Sequence, residues 1–133
     1  MWHPWRGAAA RGKRVGWEEK TYRKGLDAVR RNDPAVARRY LERLLSAADA
    51  PSAAWSSSAA RGLFTLAGLD AAEGLLLTAS SRYAASAGVL ESARNRAERD
   101  GDEEEASLLA EFRDLARSVA GDLAANCGVA FRG

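Results

Sequence analysis

Apolar positions return with a helical period along most of the chain. Tyr22, Leu26 and Val29 are spaced i, i+4, i+7 and predict one face of a helix that Arg30-Arg31-Asn32 ends. Asp33-Pro34 then predicts a helix start, with aspartate as N-cap and proline at the first helical position, where no donor is lost. Val36, Ala37, Tyr40, Leu41, Leu44, Leu45 and Ala48 line that second helix, with Arg38, Arg39, Glu42 and Arg43 on its other side. After the break Asp49-Ala50-Pro51-Ser52, a third helix is predicted from Ser52 or Ala53, with Trp55, Ala59, Leu63 and Leu66 on one face and Ala67-Gly68 as its end. Asp70-Ala71-Ala72-Glu73 has the spacing of a capping box. The series Leu76, Ala79, Tyr83, Ala87, Leu90, Ala93, Ala97 follows it, as one helix over 70–99 or as two broken near Ser80-Ser81 or Gly88. Arg99-Asp100-Gly101 closes this segment, and Asp102-Glu103-Glu104-Glu105 opens the last helix with carboxylates that favour the positive end of its dipole. Leu108, Phe112, Leu115, Val119 and Leu123 are its predicted buried stripe, fraying near Asn126–Gly128. No segment reads as a strand.

The expected fold is therefore all-α: an antiparallel helical bundle or a short helix-hairpin array of five to six helices, with a basic N-terminal arm. Residues 1–16 form that arm, rich in Trp and Arg and read as mostly irregular; 17–126 form a single helical domain; 127–133 form a short tail. The 133 residues suit one domain. Composition narrows the chemistry. A single cysteine, Cys127, excludes an internal disulfide framework, and a single histidine, His3, excludes multi-histidine metal sites and a Ser–His–Asp triad in the body of the fold.

The helix-start aspartates Asp33, Asp70 and Asp102 are separated by 37 and 32 residues, and the turns at Asn32, Gly68 and Gly101 by 36 and 33. Small residues follow at Ala37, Ala72 and Ala106. A period of about 34 with one helical hairpin per unit resembles the tetratricopeptide repeat. The first unit, YRKGLDAVRRNDPAVARRYLERLLSAADAP, carries Gly25 and Ala37 where that family has small residues and Leu41 where it has a large one; Pro51 falls two residues late for its closing proline. The second unit has Trp55 and Gly68 without the Leu-Gly pair, and the third keeps its spacing and Ala106. The resemblance spans about 17–126 and implies stacked hairpins. A plain bundle whose helix lengths happen to look periodic accounts for the same spacing.

Charge changes the picture most. The net +2 divides into twelve Lys/Arg against five Asp/Glu over 1–45, a balance of +7, and eight against thirteen over 46–133, a balance of −5. A basic segment of this kind meets nucleic acid, an anionic membrane or an acidic protein surface, including another copy's acidic half. Trp2, Trp5, Arg6, Arg11, Lys13 and Arg14 in the arm, with Arg30, Arg31, Arg38 and Arg39 around the first hairpin, are the candidate partner-binding residues, because arginine forks pair with carboxylates or phosphates and exposed tryptophan anchors a partner or stacks on bases. The plainer reading makes Trp2 and Trp5 core residues folded back on the bundle and the arginines solvated helix faces.

Other candidate chemistry is sparse. Met1-Trp2-His3 has the nitrogens of a square-planar copper or nickel site, against a histidine in an arm. Asp100, Asp102, Glu104 and Glu111 match four calcium-loop positions, but Glu105 stands where the loop needs glycine, and helix capping explains the same residues. Cys127, near a helix C-terminus, and the runs Ser56-Ser57-Ser58 and Ser80-Ser81 lack an activating base, the serines reading as surface helix residues. No phosphate loop is present, so no cofactor, metal or catalytic residue is implied. The expected function is a non-enzymatic adaptor or scaffold in protein–protein interaction, self-associating as a homo-oligomer through its basic arm. The alternative is a small nucleic-acid-binding protein using the same Arg/Trp-rich part. The absence of a secretory signal or a transmembrane run and the lone cysteine point to the cytoplasm.

Overall fold

The computed structural model describes the backbone of residues 4–47 and 55–132 and the side-chain surroundings of residues 16–47 and 55–126. Over these residues the chain is five helices without a strand: α1 (Pro4–Arg30), α2 (Pro34–Ala47), α3 (Ser57–Ala72), α4 (Leu76–Arg99) and α5 (Glu103–Arg132). Each successive pair packs together, and α3 also reaches α1 and α5. The fold class expected from periodicity is the one observed.

Three turns share one physical solution. Asn32, Gly74 and Gly101 hold positive φ of 58°, 83° and 77°. In each, the next residue's N–H donates to a carbonyl five residues back: Asp33 to Ala28, Leu75 to Asp70 and Asp102 to Ala97. These left-handed closures satisfy the last carbonyls of α1, α3 and α4 and turn the chain into the next helix. Capping then restarts it. Asp33 Oδ1 accepts from the Val36 N–H at 3.3 Å, Ser56 Oγ from Ala59 at 3.1 Å and Asp102 Oδ1 from Glu105 at 3.1 Å.

Four boundaries differ from expectation. The segment expected to be irregular belongs to α1, because Pro4 sits at the first helical position and no later proline interrupts the run before Asp33. α3 starts at Ser57 rather than near Ser52 and passes through Gly68 to Ala72. Asp70 consequently opens no helix; the break falls at Gly74, and α4 runs unbroken from Leu76 through Ser80-Ser81 and Gly88. α5 continues to Arg132 instead of fraying near Asn126.

The core is built from small residues and a few leucines. Leu63, Ala67, Ala79, Tyr83, Leu90, Ala93, Leu109 and Ala116 are buried between α3, α4 and α5. Tyr22, Leu41, Leu44, Ala59 and Leu66 form a second cluster toward α1 and α2. Small residues let backbones approach: a Cβ on Gly62 would lie 2.8 Å from Leu44 Cδ2, and one on Gly25 3.0 Å from Leu41 Cδ2. Phe64 joins three helices, meeting Tyr83 edge-on at 5.4 Å and Phe112 at 5.1 Å. The stripe expected on α4 is buried from Ala79 to Ala97. On α5 the expected stripe holds in part: Phe112, Val119 and Leu123 pack against the core, but Leu108 and Leu115 face outward and Ala106, Leu109 and Ala116 are buried in their stead. Val29 and Leu76, expected in the core, are also exposed.

At Gly101 a new Cβ meets nothing within 4 Å, so only the backbone angle resists substitution. Gly101→Ala is expected to lower unfolding free energy by about 1–2 kcal/mol, the cost of a left-handed conformation for an L-residue. Urea unfolding monitored by circular dichroism measures it.

Candidate interaction site

The structure sorts the charged side chains into those consumed inside the fold and those left outward. Asp70 is the deepest. Its carboxylate is fully buried in α3 and is held from both sides, accepting from Arg38 of α2 at 2.8 Å and from Arg82 of α4 at 2.6 Å. Arg38 also reaches Glu73 at 3.2 Å and Glu42 at 3.6 Å. Burial works against the Arg38 charge, but the hydrogen bond and charge of Asp70, with Glu73, leave its pKa raised. Burial, then the Asp70 charge, pushes the neighbouring Tyr83 phenol up, so it stays neutral. Arg38 was expected to carry partner contact. Its side chain is only 21% exposed and is spent on this network.

A second knot joins α4 to α5. Glu91 accepts from Arg94 at 2.8 Å and from Arg113. Those hydrogen bonds lower its pKa to about 2. The same bonds to Glu91 raise both Arg94 and Arg113. Arg94 also pairs with Glu98 at 2.5 Å. Two further polar ties run from Ser57 to Glu105 and from Arg96 to the Trp55 carbonyl, placing the start of α3 against α5 and α4. Of the serines expected on the surface Ser81 is exposed, and the others are structural: Ser56 caps α3, Ser57 binds Glu105, Ser58 is buried, and Ser80 donates to the Ala120 carbonyl at 3.2 Å.

The remaining basic residues of the first hairpin are peripheral. Arg30 is exposed and touches Asp27 at 3.6 Å. Arg31 and Arg39 are exposed and form no ion pair among the described residues. Arg61 lies over the Tyr22 ring at 5.0 Å, beside a polar cleft of about 350 Å³ between α1 and α3 lined by Glu19, Arg23, Asp27 and Arg30. Trp2 and His3 lie outside the described residues, as do the side chains of Trp5, Arg6, Arg11, Lys13, Arg14 and Cys127. The backbone nevertheless places residues 5–14 on one continuous helix with Trp17, which is 41% exposed.

Sequence reasoning missed an outward surface on α5. Glu104, Leu108, Glu111, Leu115, Ser118 and Asp122 recur every three or four residues and are all exposed, forming one ridge. Leu115 is 53% exposed. The signal was available in part: Leu108 and Leu115 share their helical face with three carboxylates, Glu104, Glu111 and Asp122, whereas Leu109, Phe112, Ala116, Val119 and Leu123 share theirs with one, Glu105, which bonds Ser57 of α3.

No known protein family, curated protein or solved structure matches this chain. Among the described residues no cluster of three or more metal-ligating side chains forms, and Asp102 serves as a helix cap. No described helix is long and apolar enough to cross a membrane.

Two measurements test the internal knots. Asp70→Asn leaves two arginines facing a neutral amide and is expected to cost about 2–3 kcal/mol, whereas the triple change Arg38→Met, Asp70→Leu, Arg82→Met recovers most of it because the charges leave together. Glu91 has a lowered folded pKa, so its contribution is complete above about pH 4.5 and disappears as pH falls toward 2. Glu91→Gln is expected to be less stable by at most about 1 kcal/mol at pH 7, solvent screening having weakened the pair, and equal to the wild type near pH 2. Denaturant midpoints across that window decide it.

Proposed function

We propose that the chain is a non-enzymatic interaction module that associates with itself through the basic N-terminal half of α1. The observation that carries this is the mismatch between α1, 27 residues, and its antiparallel partner α2, 14 residues. At 1.5 Å per residue, about 20 Å of α1 extends past the level where α2 ends. The register of α1 supports the same reading. Its packed stripe runs through Glu18, Tyr22, Gly25 and Ala28, all buried. Continued toward the N-terminus, this stripe carries Arg14 and Arg11. A core stripe that turns to arginine has ended, which favours a handle over a segment folded back into its own core.

That handle has Arg6, Arg11, Lys13 and Arg14 without an acidic residue over 4–16, and Trp5 beside them. Much of the acidic charge of the body stays outward on α5, which favours a protein partner over nucleic acid, since nucleic-acid domains present a more uniformly basic face. Gly25 against Leu41 packs α1 closely on α2 as one helical hairpin. A cytoplasmic setting suits a chain with one cysteine.

Contacts between exposed charges are screened beyond a Debye length of about 8–10 Å near physiological salt. Sedimentation velocity on the full chain is expected to show an assembly at low salt that dissociates at high salt. Reversing Arg6, Arg11, Lys13 and Arg14 to Glu is expected to leave a folded monomer. A wild-type monomer at every salt concentration would falsify self-association. Steep salt-dependent binding to duplex or single-stranded DNA, lost in the same variant, replaces it with the nucleic-acid reading.

A further inference from the structure

We propose that the outward ridge of α5 is the docking surface for the basic half of α1 from a second copy of this chain. The inference rests on the self-association reading above and names the surface that receives the handle.

Three features of the ridge point to this occupant. First, it has charge and no internal use for it. Glu104, Glu111 and Asp122 are exposed, and among the described residues none of them enters an ion pair. No basic residue stands on the ridge, so a handle with four cations and no anion is its electrostatic complement. Second, Leu108 and Leu115 leave apolar surface between the carboxylates, and the handle brings Trp5 and the exposed Trp17 to either end of its basic run. Aromatic anchors flanked by arginine are the side chains that carry binding energy at protein interfaces. Third, the lengths agree. From Glu104 to Asp122 the ridge extends about 27 Å and from Pro4 to Trp17 the handle extends about 20 Å, at 1.5 Å per residue.

Among the described residues α1 touches α2 and α3, and α5 touches α4 and α3, with no contact between α1 and α5. The pairing is therefore assigned to a second molecule. Reciprocal exchange closes a dimer in which each copy gives a handle and receives one.

A charge swap on the full chain tests the assignment. Glu111→Lys with Asp122→Lys reverses the ridge, and Arg11→Glu with Arg14→Glu reverses the handle. Each variant alone is expected to associate at least about tenfold more weakly than wild type at low salt, with unchanged helical circular dichroism. Mixing the two variants is expected to restore association as a one-to-one complex, because each handle then meets a ridge of opposite sign. If the ridge variant associates like wild type while the handle variant does not, the handle docks elsewhere, so this assignment falls and self-association stands. Failure of the mixture to recover also overturns it. A wild-type monomer at low salt removes both readings together.

Discussion

A carboxylate buried as deeply as Asp70 is tolerated only when cations are delivered to it. The two that reach it come from different helices, Arg38 from α2 and Arg82 from α4. That requirement sets the level at which α2 and α4 cross α3, since a shift of one turn in either would strand the charge. The remaining helices take their places from these three. α1 rests its Gly25 against Leu41 and its Tyr22 under Arg61, and α5 is locked to α4 through Glu91 and Arg113. Specificity is the contribution to expect from such a knot in this chain. Its interfaces are rich in alanine, whose smooth surfaces permit sliding that a carboxylate held by two arginines from different helices forbids.

The same knot shows why part of the fold was legible and part was not. Local signals were read well where one neighbouring turn decides the outcome: Asp33-Pro34 caps α2, Gly101 closes α4, and the Ala79-to-Ala97 stripe is buried as its period predicts. Asp70 was misread because Asp-x-x-Glu looks alike as a capping box and as an acidic cluster awaiting arginines. The deciding partners lie 32 and 12 residues away. Arg38 was misread for the same reason, as a surface charge on an amphipathic helix. On α5 the expected and the packed stripes share Phe112, Val119 and Leu123, and the packing of α4 selects Leu109 and Ala116 over Leu108 and Leu115.

The proposed surface was half visible in the sequence. The basic bias of the first 45 residues pointed to the proposed handle, and the acidic bias of the remainder to its proposed complement. Folding refines that division. Arg38, Arg82, Arg94 and Arg113 are drawn into the body to neutralise Asp70 and Glu91. They therefore cease to offset the acidic surface or to extend the basic one. The charge left outward keeps the division that the sequence count shows: cations on α1 and α2, and carboxylates along α5, its outer ridge included.

Segregated charge on one small domain has a physical consequence. Screening reduces long-range attraction between exposed charges, so the compact state gains little from it. In the proposed dimer the attraction acts at contact, where handle and ridge would exclude water and leucine would meet tryptophan. A helix as long as α1 also needs a reason to persist beyond the partner that packs it, since isolated helical segments of this size are marginal in water. Docking on a second helix would supply tertiary support to residues 4–16 that α2 is too short to give. In the proposed dimer, association and completion of α1 would be one event, the helix being stabilised by the contact it makes.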